Sequence, residues 1–585
     1  MMRTRFPTRA AVLLAALSSA GCRVAAPAPS AAPAIPERRA AVFPAGWRFA
    51  PGAPATFAPR AMIASNAPLA SAAGVEILRR GGNAVDAAVA VGFALVPTWP
   101  AAGNIGGGGY MVIRMADGRT AALDYREVAP LAATRDMYVD ASGNVTEESV
   151  VGHRSVGVPG AVAGMAEALA RYGTLPLTEV MAPAIRLAEE GFVVDSGLHR
   201  SLSGSGGLIA RFAGADVFLP GGRALAPGAR LVQPELARTL RVIAERGAGA
   251  FYSGEVADTL VAEIARGGGI VTKEDLERYR PVWREPLRST YRGYTLFTMP
   301  PSSSGGVTMT ESLNVLETYD SLPSFGSAAR AHLLGAAYQR AFIDRNAKLG
   351  DPAFVKVPVA ELTSKAYART LRATIDPARA TRTAVLGGAE PEGMNTTHYS
   401  VVDARGNAVA TTTTLNNSFG SGVWVRGGGY FLNDEMDDFA ARPGRPNMFG
   451  LVQGEQNAIA PGKRMLSAMS PTIVLDPAGQ LLLVVGAAGG PTIITGTSQV
   501  ILNVVEHRMS LADAMRAPRL HHQALPDTLT YETDGFSRQA VDSLAAMGHG
   551  LRAVPALVNV NAVMRVKGGW EGVSEPRASG GAVGY

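Results

Sequence analysis

The feature that most constrains this chain is a change of texture at residue 396. The stretch 159–375 reads as mostly helical. Pro159 suits a first helical position before Ala161–Tyr172, and further amphipathic windows recur at Leu177–Glu190, Pro234–Arg246, Ala329–Ala347 and Val359–Ile375. Asp376–Met394 is polar, contains Gly and Pro, and reads as an exposed loop. Directly after it, Thr397–Asp403 and Ala408–Leu415 are β-rich runs joined by Ala404-Arg405-Gly406-Asn407, a hairpin signal. Strands at Thr472–Asp476 and Leu481–Gly486 follow, then helices at Thr495–His507 and Leu511–Arg516. Upstream, helical patterns at Ala73–Arg80 and Ala84–Leu95 flank Gly81-Gly82, and a glycine run leads into a strand at Tyr110–Met115. The chain is therefore α/β, with a helix-rich part followed by a β-rich part that opens on a threonine-bearing strand.

Charge and composition exclude several classes. The chain has 585 residues, 47% of them hydrophobic and 18% charged, which is ample for a large core. A net charge of +6 is thin over this length, and no run of five basic residues occurs, so nucleic-acid binding is disfavoured. The single cysteine, Cys22, excludes an internal disulfide framework and a cysteine-based metal cluster. No His-Glu-x-x-His helix is present, and no metal site is expected.

The N-terminus carries Arg3, Arg5 and Arg9, then the apolar stretch Ala10–Leu17, then Ser18-Ser19-Ala20-Gly21-Cys22. This is the layout of a secretory signal peptide over 1–22, with an apolar core too short to span a bilayer. The position of Cys22 resembles a bacterial lipoprotein signal, in which the new N-terminal cysteine is lipidated. Ser19 stands where that signal prefers Leu, and an ordinary signal peptide with an incidental cysteine is the alternative. Residues 23–60 are rich in Ala and Pro and read as a tether. Export across the inner membrane follows, with the product periplasmic or lipid-anchored in the envelope.

No serine has Gly at both −2 and +2, so a nucleophile elbow is absent. Gly106–Gly109 lacks the Lys-Ser/Thr of a phosphate loop and the spacing of a dinucleotide fingerprint, leaving close backbone packing or a ligand-approach loop. A threonine becomes a useful nucleophile when it is the first residue of a chain, because its own α-amine, with a pKa of about 8, serves as base. Met394-Asn395-Thr396-Thr397 lies at a loop-to-strand border where a cut could create such a residue. On its own this is weak, since threonine is common in strands.

A resemblance changes that weighing. Thr396-Thr397-His398-Tyr399-Ser400 with Thr414-Leu415-Asn416 is similar to the start of the γ-glutamyltransferase small subunit. Gly81–Ala88, Asn104–Gly108, Asp124-Tyr125-Arg126-Glu127, Pro300–Gly306 and Asp344-Arg345 with Leu349–Pro352 resemble large-subunit motifs in the same order. Asn433–Asp438, Leu466–Pro471, Gly486–Gly490, Ala517–Gln523 and the C-terminal end continue it, so that it spans roughly 61–585.

The resemblance implies a four-layer αββα sandwich of the N-terminal-nucleophile hydrolase type. Two autoproteolytic subunits would build it: a large one, 61–395 after the tether, and a small catalytic one, 396–585. The cut would fall between Asn395 and Thr396. Thr396 would be the nucleophile, Thr414 would orient it, and the Gly489 and Gly490 amides would form the oxyanion hole. Arg126 and Ser467 would bind the α-carboxylate of a γ-glutamyl group; Glu435, Asp438 and Asn416 would bind its ammonium. The implied activity is cleavage of glutathione and other γ-glutamyl amides, with the acyl group passed to water, amino acids or peptides and no cofactor required. Departures from the family pattern are Ala468 where a second serine is common, Ala487-Ala488 in the oxyanion segment, Glu435 where some bacterial members have Gln, and Phe449 where a lid tyrosine often sits. The rivals are a glutaryl or cephalosporin acylase of the same superfamily and an inactive envelope lipoprotein.

Overall fold

The computed structural model describes residues 38–383 and 396–585. The signal segment, Cys22 and Asn395 lie outside the described residues. The strands, in chain order, are β1 (Thr56–Ala58), β2 (Met62–Ser65), β3 (Gly108–Arg114), β4 (Thr120–Asp124), β5 (Phe192–Val193), β6 (Arg230–Leu231), β7 (Val282–Arg284), β8 (Leu287–Tyr291), β9 (Tyr294–Thr298), β10 (Thr397–Val402), β11 (Ala408–Thr414), β12 (Thr472–Leu475), β13 (Leu481–Ala488), β14 (Leu520–His521), β15 (Leu529–Glu532), β16 (Leu551–Val554), β17 (Asn559–Val566), β18 (Gly569–Val573) and β19 (Gly581–Gly584). Two sheets of seven strands carry the fold. One has the order β19-β2-β10-β11-β3-β4-β7, the other β1-β18-β17-β13-β12-β9-β8, and all their pairings are antiparallel.

The sheets stack face to face, with β10 over β13 and β17. Helices Pro68–Arg79, Ala84–Thr98 and Ala161–Tyr172 cover the outer face of the first sheet, and Gly305–Glu317 and Thr492–Val505 cover that of the second. This is the expected αββα sandwich. β10 and β11 are buried on both faces, which is why they read as continuous runs of Thr, Val and Ala rather than as clean alternation. Their polar side chains are satisfied between the sheets. His398 contacts Thr412 Oγ1 at 2.8 Å and Ser400 Oγ at 3.1 Å, and Ser400 Oγ donates to the Val484 and Asn561 carbonyls of the opposite sheet. Burial lowers the His398 imidazole to about 3, so it is neutral.

The glycine run resolves as close backbone packing. A Cβ on Gly107 would lie 2.2 Å from the Thr414 carbonyl, and one on Gly108 would lie 2.6 Å from a Glu127 carboxylate oxygen. β3 can therefore press against β11 and bring the Thr414 end of that strand to the site.

Most helical windows stand where the periodicity put them, with Leu177–Glu190 and Pro234–Arg246 matching to the residue. Three readings need correction. Pro159 lies outside the helix, which begins at Ala161 behind Gly160. The window Val359–Ile375 is two helices, because Ser364 Oγ caps a new start by accepting from the Tyr367 amide. The stretch 159–375 also contains β7, β8 and β9, short half-exposed strands without an apolar run to mark them.

The tether assigned to 23–60 is likewise too long. From residue 38 onward the chain lies on the body. Trp47 is 2% exposed and donates Nε1 to the Arg516 carbonyl, and β1 pairs with β18. Thr383 N–H donates to Asp527 Oδ2 and Ala380 N–H to the Met547 carbonyl, so this stretch of the chain is fastened to the β-rich part that follows in sequence. No helix among the described residues is long and apolar enough to cross a membrane.

Candidate active site

A pocket holding roughly 320 Å³ of empty space opens beside the first residue of the β-rich half. Thr396, Thr414, Asn416, Gly490, Arg126, Glu435, Asp438 and Ser467 all line it. Eight of the nine residues assigned to catalysis and substrate binding thus converge from sequence positions more than three hundred apart. Gly489, the ninth, is the neighbour of Gly490.

Beside Thr396 the pocket is built by β11. Thr414 Oγ1 stands 3.5 Å from Thr396 Oγ1 and accepts the Asn416 amide at 2.7 Å. Asn416 takes a left-handed φ of +76°, which turns the chain sharply out of the strand; its Nδ2 donates to the Asp434 carbonyl at 3.1 Å. Opposite lies the turn after β13. Gly489 and Gly490 have φ of +147° and +54°, a conformation that favours glycine. Neither amide N–H donates to a partner among the described residues, while the Gly489 carbonyl accepts the Thr492 hydroxyl at 2.6 Å. The substitution Ala487-Ala488 extends β13 up to this turn and leaves both donors in place.

The charged end hangs from β4. Asp124 caps the turn that follows it by accepting the Arg126 amide at 3.1 Å, and is itself fixed by Arg284 and Ser302. Arg126 is 1% exposed; it contacts Asp438 through Nη2 and lies 2.5 Å from Glu435 and 3.6 Å from Glu127 through Nη1. The Glu435 contact is close in distance but poorly aligned, so both Glu435 oxygens, like both of Glu127, lack a well-formed hydrogen bond. Asn433 holds the turn Glu435–Asp438 in position by accepting the Gly157 and Glu435 amides.

Burial dominates the electrostatics here. It raises the carboxyls of Glu127, Glu435, Asp438 and Asp434 above their ordinary range, with Arg126 pulling the first three back, and it pushes Asp437 to about 7. Burial also opposes the charge of Arg126, but Glu435, Asp438 and Glu127 overcome it and keep the guanidinium ionised. Arg126 therefore sits among more acidic groups than one guanidinium can hold ionised, and burial keeps protons among them.

The segment Arg442–Asn457 folds over the pocket. Phe449 lines it and packs on Gly490, where an added Cβ would lie 2.8 Å from the ring. Two hydrogen bonds to its main chain hold this segment in place. Gln523 Nε2 donates to the Phe449 carbonyl at 3.1 Å, and the Met448 amide donates to Asp437. Arg345 also lines the pocket and carried no role in the sequence reading. Its motif, Asp344-Arg345, was visible there, but a basic residue in the last turn of a helix has an ordinary explanation.

Comparisons with known proteins agree with this geometry. The family model described as Gamma-glutamyltranspeptidase matches residues 70–585. A glutathione hydrolase proenzyme of Escherichia coli is 44% identical over 99% of both chains. Acylase ACY 1 proenzyme of a Pseudomonas species is 43% identical over 86% of this chain and 89% of its own. Among solved structures, cephalosporin acylase from Bacillus halodurans superposes with a TM-score of 0.81 at 29% identity, over 93% of this chain and 99% of that one. A threonine at the head of a buried strand, a charged pocket facing it and a match across nearly the whole chain lead to one assignment: the chain belongs to the γ-glutamyltranspeptidase family.

Proposed function

We propose that this chain matures by a cut between Asn395 and Thr396 and then transfers γ-glutamyl groups through an ester on Thr396. The enzyme is of the glutathione hydrolase type. In the first step the freed α-amine of Thr396 takes the hydroxyl proton, and Oγ1 attacks the γ-carbonyl of the donor. The Gly489 and Gly490 amides receive the developing oxyanion. Collapse breaks the C–N bond, and the protonated α-amine gives its proton to the leaving amine. Water then attacks the ester to release glutamate, or the amine of an amino acid or peptide attacks to form a new γ-glutamyl amide; either restores the Thr396 hydroxyl. Glutathione is the donor class the relatives' names point to. The export signal read in 1–22 puts this chemistry outside the inner membrane, with Cys22 as the candidate lipid anchor.

The observation that carries the reading is the shape of the pocket's charge. Thr396 and Thr414 line the same pocket as a guanidinium with two acidic partners. A γ-glutamyl group is a zwitterion at its far end, so it can replace the internal Arg126–Asp438 and Arg126–Glu435 pairs with pairs of its own. A glutaryl acylase is the second reading, supported by the likeness to ACY 1 and to the cephalosporin acylase. Glutaryl lacks the ammonium and would leave Glu435 and Asp438 buried against nothing, a costly arrangement.

Turnover of γ-glutamyl p-nitroanilide should exceed that of glutaryl p-nitroanilide; the reverse order supports the acylase. Thr396→Ala should run as a single band and lose activity by about 10⁴-fold or more. N-terminal sequencing of the smaller wild-type fragment should begin Thr-Thr-His-Tyr.

A further inference from the structure

The pocket contains a second buried guanidinium, and among the described residues it has no ion-pair partner. Arg345 is 1% exposed. All its hydrogen-bond partners are neutral: Nε donates to Ser304 Oγ at 3.0 Å, and Nη1 donates to Asn346 Oδ1 at 2.9 Å and, at 3.5 Å, to Gln453 Oε1. Among the described residues no carboxylate comes within 4 Å of it, and Nη2 has no partner. Nη2 is nonetheless not sealed in. Since the residue lines the pocket, the open part of its guanidinium faces the pocket. Burial lowers Arg345 to about 10, partly offset by the nearby Asp438 carboxylate. A buried arginine without a counterion is expensive, and an anionic ligand would relieve that cost.

Asp438 identifies the place. Its carboxylate touches Arg126, and both Arg126 and Arg345 oppose the burial that raises it. The spot it fills in the empty pocket is therefore influenced by two cations. A ligand carboxylate that took the place of the Asp438 carboxylate would lie against Arg126 and within the field of Arg345, which lines the same pocket. Ser304 ties Arg345 to the same wall, because its hydroxyl accepts from Arg345 and donates to the Ser467 carbonyl at 2.5 Å. That wall is where Ala468 offers no hydroxyl.

We propose that Arg345 is a second carboxylate-binding residue of the donor site, sharing the α-carboxylate of the γ-glutamyl group with Arg126 and supplying the donor that Ala468 lacks. The proposal rests on the γ-glutamyl reading above. It makes this pocket a two-arginine site, selective for donors that keep the α-carboxylate.

The test is a substrate pair measured on Arg345→Gln and Arg345→Lys: γ-glutamyl p-nitroanilide, and 4-aminobutyryl p-nitroanilide, which keeps the amine but has no α-carboxylate. In Arg345→Gln the KM for the γ-glutamyl donor should rise about tenfold with kcat little changed, while kcat/KM for the 4-aminobutyryl donor stays within about twofold. Arg345→Lys should be intermediate. Adding Ala468→Ser to Arg345→Gln should recover part of the lost affinity. Equal losses on both donors, or an unchanged KM, would overturn the proposal and make Arg345 a structural support for Ser304 and Ser467. Failure of both variants to mature into two fragments would do the same. If the wild-type enzyme itself ignored the γ-glutamyl donor, the functional reading would fail first, and the two failures are thus distinguishable.

Discussion

Two buried charge clusters in this molecule are built on opposite principles. One, formed by Arg519, Arg577, Glu532 and Glu575, ties the C-terminal segment to the second sheet. Its charges balance and its hydrogen bonds are numerous. Arg577 meets Glu532 at 2.5 Å and Glu575 at 2.9 Å, and Arg519 meets Glu575 at 2.8 Å while donating also to the Leu557, Val558 and Met515 carbonyls. The other cluster, around Arg126, holds Glu127, Glu435 and Asp438 against one guanidinium and leaves four carboxylate oxygens without a well-formed hydrogen bond. The pKa directions separate them as well. Burial would raise Glu575, but Arg519 and Arg577 overcome it and hold the carboxyl below its ordinary value; around Arg126 burial wins and the carboxyls are raised. A charge-balanced network with nearly every polar atom bonded, Arg519 Nε excepted, serves folding. An unsatisfied one is held in place by the rest of the fold and gains its missing partners from a ligand.

The largest effect that could break this contrast is on stability. Arg577→Met should leave Glu532 without a cation and Glu575 with Arg519 alone, and lower unfolding free energy by about 3–5 kcal/mol in urea titrations, with the specific activity of folded protein retained. Asp438→Asn should act mainly on function: kcat/KM for a γ-glutamyl anilide should fall by about a hundredfold, while the loss of stability stays well below that of Arg577→Met, because Glu435 and Glu127 remain beside Arg126 and can take up its charge. A loss of stability in Asp438→Asn comparable to that in Arg577→Met would erase the distinction.

The smallest effect sharpens it through pH. For a carboxyl raised in the folded state, such as Asp437 at about 7, the native protein keeps a proton that the unfolded chain releases above about pH 4. Stability therefore declines between those values by about 1.4 kcal/mol per pH unit for each such group, and levels off above the folded pKa. Glu575, held low, acts in reverse: its contribution is present above the unfolded pKa and is lost as pH falls through the folded one. Urea midpoints between pH 5 and 7 should show a downward slope that Asp437→Asn flattens and Glu575→Gln leaves alone.

Much of this was legible in the sequence, for identifiable reasons. Long amphipathic helices such as Leu177–Glu190 carry their own periodicity, and the threonine-rich strands carry their hairpin turn. β7 to β9 were hidden because strands such as Leu287–Tyr291 alternate with polar residues and lack length. Residues 38–60 looked like a tether because Ala and Pro dominate them, yet Trp47 and a three-residue strand fasten the segment. At the site, the resemblance supplied the residue types and the fold supplied their partners. That Arg126 is already held by Asp438 and Glu435, and that no acid among the described residues pairs with Arg345, are facts about distance, and they are invisible in a linear chain.

The interleaving of the two large sheets has a consequence for any break at residue 395. β10 and β11, from beyond the junction, lie between β2 and β3 from before it; in the other sheet β12 runs beside β9, and β18 beside β1. The halves are woven together and cannot be lifted apart like stacked plates. A severed molecule would have to unravel both sheets to come apart, so its pieces have no folded existence as soloists. The quantity to measure is then a single cooperative melting of the pair, rather than a dissociation constant between two stable partners.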